Sequence, residues 1–85
     1  MPHPAEHSEL IRAIDLAIAG DWQAAHTLVD PLEHDQTACW IHGCLHKIEG
    51  DEAGARHWYR RSRQFYESFP DPRAELIAIK AALTY

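Results

Sequence analysis

The chain has 85 residues, a quarter of them charged, and a formal net charge of -5 with the histidines neutral. That length holds one modest core and no second domain, and the acidic balance excludes a protein whose main task is to grip phosphate backbones, which takes an excess of Lys and Arg. No apolar run reaches the roughly 18 residues of a membrane span and no basic-then-apolar leader opens the chain, so nucleic acid and membrane are not expected partners and a cytoplasmic location is expected.

Met1 to His7 carry two prolines and no apolar periodicity, and read as a flexible leader to a single all-helical domain over 8–85. From Ser8, the residues Leu10, Ile11, Ile14, Ala17 and Ile18 recur at helical spacing, and Gly20 stands where a left-handed residue ends a helix. Asp21 caps a second helix with an apolar stripe of Ala25, Leu28, Val29 and Leu32, which Pro31 cuts short because proline disfavours helix in the residue before it.

A third helix is predicted from Asp35 or Thr37 to Glu49, stopped by Gly50. Its broad apolar face holds Trp40, Ile41, Cys44, Leu45 and Ile48; Cys39, His42, His46 and Glu49 fall on the other side. Asp51 caps a fourth helix, whose Ala55, Trp58, Tyr59, Ser62, Phe65, Tyr66 and Phe69 are expected to supply the aromatic mass of the core. After the break at Phe69-Pro70-Asp71-Pro72, a fifth helix has Leu76, Ile77, Ile79, Ala82 and Leu83 for its apolar side.

Gly20-Asp21 with Ala24, Ala25 and Leu28 returns 30 residues later as Gly50-Asp51 with Gly54, Ala55 and Trp58. A helix stop, a helix start and small residues behind them, written twice, describe a helical hairpin built twice. The run Gly43, Gly50-Asp51, Ala55 and Tyr59 resembles a tetratricopeptide-like repeat, and Ala55 to Arg61 is similar to the second helix of the related longer-repeat family. The resemblance implies two stacked antiparallel hairpins, a truncated array closed by a capping helix, with Gly43 close against Ala55 and Ala13 against Ala25. It also implies that His42 and His46 face the fourth helix near Ala55 and Tyr59. The strings Trp40-Ile41-His42, Leu45-His46, Glu49-Gly50-Asp51 and Trp58-Tyr59-Arg60-Arg61, with His26, also resemble a group of short bacterial proteins, which names no chemistry.

His42 and His46 stand one helical turn apart and Glu49 three residues further on, so the three can converge as ligands of a divalent transition metal. The competing reading is a structural polar cluster of His26, His42, His46 and Tyr59, hydrogen-bonded as buried polar groups must be. Cys39 and Cys44, five apart on one helix, point apart and read as reduced thiols, Cys44 in the core and Cys39 on the histidine side. Glu52, Arg56, Arg60, Arg63 and Glu67 form a stripe that reads either as an anion or RNA patch or as a solvated face with Glu52 paired to Arg56. No phosphate loop, serine elbow or zinc-protease pair is present, so no catalytic residue and no cofactor is assigned; an enzyme would need a site built by two chains. The expectation is an interaction or adaptor module that docks a protein segment, with a homodimer as a secondary expectation and a metal-binding protein or metal-dependent enzyme as the alternative.

Overall fold

The computed structural model describes residues 4–84, with side chains from residue 7. The described residues are all-α, five helices and no strand: α1 Pro4–Ile18, α2 Trp22–Val29, α3 Gln36–Ile48, α4 Glu52–Ser62 and α5 Pro72–Thr84, with 3-10 turns at Asp30–Leu32 and Tyr66–Ser68. None is long and apolar enough to cross a membrane. α1 already begins at Pro4, within the stretch expected as a leader; a proline is tolerated in a first helical turn, where its missing N–H has no partner to lose. His7 anchors that turn by donating from Nε2 to the Leu83 carbonyl of α5 at 2.6 Å. Met1 to His3 lie outside the described residues.

Two short junctions organise the chain. At the first, the Asp21 N–H bonds Leu16 O at 2.8 Å and the Gly20 N–H bonds Ala17 O at 3.0 Å, with Gly20 at φ 94°. At the second, the Asp51 N–H bonds His46 O at 2.9 Å and the Gly50 N–H bonds Lys47 O at 3.1 Å, with Gly50 at φ 80°. This pair of hydrogen bonds satisfies carbonyls left over at a helix end and needs a residue at positive φ, which glycine gives without strain. The next residue then starts a new helix: Asp21 accepts from Ala24 N–H and Asp51 from Gly54 N–H. One dipeptide thus ends one helix and caps the next.

Consecutive helices pack on each other, α1 on α2 and α3 on α4, while α5 lies against α1 and α3. Leu10, Ile14, Ile41, Leu45, Leu76 and Ile79 are fully enclosed at the centre. Gly43 has its expected role: a Cβ there would sit 2.9 Å from the Tyr59 ring and 3.3 Å from the Ala55 carbonyl, so only hydrogen lets α4 come this close. Ala13 and Ala25 are both 0% exposed in the first helix pair.

The fourth helix stops earlier than its aromatic pattern suggested. Arg63 takes the left-handed conformation, φ 61°, and ends α4 with the same paired bonds, Gln64 N–H to Tyr59 O and Arg63 N–H to Arg60 O. Of the aromatic residues expected to fill the core only Tyr59 is buried; Trp58, Tyr66 and Phe69 are half-buried and Phe65 is 76% exposed. The core is instead aliphatic, with one polar knot inside it. Glu75 is completely buried and accepts from Trp40 Nε1 at 2.7 Å, Tyr59 OH at 2.6 Å and Lys47 Nζ at 2.9 Å. Lys47 also donates to the carbonyls of Tyr66 and Phe69, pinning the segment between α4 and α5. Among the described residues no buried side-chain nitrogen or oxygen lacks a partner.

Candidate metal centre

α3 is enclosed by its neighbours, and this is why its polar side is not a solvent face. His42 is only 6% exposed although it lies opposite the apolar stripe. Its ring stacks on Trp58 of α4, with centroids 3.9 Å apart and planes at 11°, and on His46 one turn along, at 5.1 Å and 9°. From α2, His26 meets both rings edge-on, 4.9 Å from His42 and 5.1 Å from His46. The three imidazoles offer ligand atoms that all lie within 4.8 Å of one another.

Each ring also has a carboxylate beside it. His26 Nε2 donates to Glu49 Oε1 at 2.6 Å, and His46 Nδ1 to Asp51 Oδ2 at 3.1 Å. His42 Nε2 lies 3.5 Å from Asp30 Oδ1. A carboxylate on one ring nitrogen fixes the tautomer and raises the basicity of the other, as the outer partners of histidine-ligated metals do. Asp51 is doubly engaged, its Oδ1 capping α4 through Gly54 N–H while its Oδ2 holds His46. Gly54 makes room for this: a Cβ there would meet the Asp51 carboxylate and come within 3.0 Å of His46 Nδ1.

Electrostatics favour neutral imidazole at the centre. Burial first, then the neighbouring His26, lowers the His42 pKa from 6.5 to about 4, against the opposing pull of Asp30. Neutral imidazole is the form that binds metal.

The residues expected from the sequence divide cleanly. His42 and His46 are together, and His26 joins them as the third imidazole. Glu49 does not join the convergent group and is instead bonded to His26 Nε2. Tyr59 is absent from the cluster; its hydroxyl is committed to Glu75, and burial followed by that carboxylate raises its pKa. Cys39 and Cys44 are both buried and free, yet neither reaches the histidines: the Cys39 thiol donates to Glu33 O and the Cys44 thiol to Pro72 O. Burial raises both thiol pKa values, so neither is an activated thiolate. Within the arginine stripe, Arg56 bridges Glu52 and Glu67 at 2.9 Å each.

Sequence reading missed the Asp30 and Asp51 partnerships and the entire Glu75 knot. Glu75 falls in the first turn of its helix, where an acidic residue is ordinary, so its burial had no sequence signal. Comparison with protein-family models, curated proteins and solved structures finds no match to this chain.

Proposed function

We propose that the protein binds a divalent transition metal through His26, His42 and His46, with Glu49, Asp51 and Asp30 as the outer carboxylates. The observation that carries this reading is the convergence of three imidazole donors from two helices within 4.8 Å. The outer carboxylates support it: three such groups beside the rings create a local negative field that favours a dication, and imidazole is a good donor to zinc, copper, nickel and cobalt. The test is elemental analysis of tag-free protein purified without chelator, followed by calorimetric titration with zinc. One metal per chain, abolished in the His26→Gln/His46→Gln variant while that variant keeps its helical circular dichroism, is expected. Absence of saturable zinc binding to the folded parent chain would leave the cluster as core architecture.

A second reading, docking of a protein segment, has its own support in the large apolar side chains left in solvent. Trp22 is 42% exposed and borders a shallow depression with Ile18, Ile48, Pro72 and Leu76. Such grooves accept amphipathic segments or a second copy of a chain. The readings separate on the double histidine variant, which in the docking case keeps partner binding and shows no change in metal content.

A further inference from the structure

Resting on the metal reading above, we infer that the ion held by His26, His42 and His46 keeps one coordination position open to solvent, where a water is bound that a small anion displaces. The convergent group contains three imidazoles and no carboxylate. Of the acids beside the rings, Glu49 is bonded to His26, Asp51 to His46 and the α4 N-terminus, and Asp30 lies 3.5 Å from His42. The other soft or phenolic donors nearby are committed elsewhere, Cys39 to the Glu33 carbonyl and Tyr59 to Glu75.

Three protein ligands are the mark of a zinc site with an exchangeable position, whereas structural sites close with four. Exposure agrees with this. The side chain of His42 is 8% exposed beneath Trp58, but those of His26 and His46 are 21% and 22% exposed, so the cluster opens to solvent along these two rings. Three neutral ligands leave the charge of a dication uncompensated in its inner shell. That charge draws anions and lowers the pKa of a bound water, to about 7 for zinc with three histidines.

The experiment uses the full chain loaded with cobalt(II), whose visible absorption reports coordination. Thiocyanate is titrated into the loaded protein, with the apparent mass followed by light scattering. A saturable shift of the visible bands, reversed on dialysis, with the chain of constant mass, is expected. Cobalt bound one per chain with a spectrum that ignores thiocyanate overturns the open position, as does a cobalt-dependent doubling of mass without an anion response, which means that a second chain supplies the fourth ligand. Failure to bind cobalt at all is a separate result and sinks the underlying metal reading. To guard against misfolding artefacts, Glu49→Gln is measured in parallel: it keeps a hydrogen-bonding side chain outside the shell, so cobalt affinity falls 10- to 100-fold while the thiocyanate shift persists. An altered anion-free spectrum in that variant at saturating cobalt would instead make Glu49 the fourth ligand and overturn the inference.

Discussion

The junctions at Gly20-Asp21 and Gly50-Asp51 use the same backbone bonds and the same aspartate cap, yet only the second is surrounded by chemistry. Shifting the first unit by 30 residues puts Arg12 on His42, Leu16 on His46, Ala17 on Lys47, Ala19 on Glu49, Ala24 on Gly54 and Leu28 on Trp58. In the first unit, Leu16 and Leu28 pack against the apolar core and the Asp21 cap holds one amide. In the second, the same positions become an imidazole cluster with an aromatic cover, and the cap acquires a second duty on His46. The difference teaches that the same junction backbone carries either an apolar packing surface or an imidazole cluster by side chains alone, and that the first unit contributes a single imidazole, His26, at the position of Arg56.

Placing first-unit residues in the second unit breaks the comparison most sharply at Lys47. Lys47→Ala copies Ala17 and strands the Glu75 carboxylate in the core, where a lone buried charge costs about 3–5 kcal/mol. Urea unfolding should show that loss; a loss below about 1 kcal/mol would mean that the knot is not an ion pair in solution.

Acid comes next. The His42 pKa is lower in the folded chain than its ordinary 6.5, so the unfolded chain takes the proton first. Its contribution to stability is therefore complete above about pH 6.5 and is lost as the pH falls toward 4, by about 2–3 kcal/mol in metal-free protein. His42→Leu should flatten that part of the stability profile, and an unchanged slope in the variant would remove His42 as its source.

Gly43→Ala, which copies Ala13, drives a methyl into the Tyr59 ring and should cost about 1–3 kcal/mol, read as a lowered melting temperature. The smallest change in stability is expected at Gly54→Ala, which copies Ala24. Its gain in helix propensity, about 1 kcal/mol, is offset because the methyl crowds Asp51 and His46. Zinc affinity should fall about 10-fold as His46 loses its carboxylate. A variant stabilised by the full propensity gain, with unaltered zinc affinity, would show that Gly54 has no part in the site.

Much of the fold was legible because glycine stops, aspartate caps and apolar spacing are local signals. The starts of α2, α3 and α5 follow from Asp21, Asp35 and Asp71, and Gly43 could be read as a close-packing position from its resemblance to a repeat. The end of α4 was not legible, since an arginine carries out the turn that glycine usually makes, and the helical spacing of Phe65 and Phe69 persists past the true stop. The histidine pair at 42 and 46 was visible as one helical turn, but the third imidazole comes from another helix and its distance from the pair is a tertiary fact. Glu49 illustrates the limit well: spacing put it on the right side of α3, while the choice between ligand and outer partner depended on where α2 lies.

The stacking of Trp58 on His42 gives the protein an intrinsic optical gauge. An indole in face contact with imidazole emits according to whether that ring is protonated or carries a cation, and the other two tryptophans stand apart from the cluster, Trp40 bonded to Glu75 and Trp22 at the surface. With Trp22 and Trp40 replaced by Phe, the colour and lifetime of the single remaining emitter would follow the state of the histidines in real time, with no label attached.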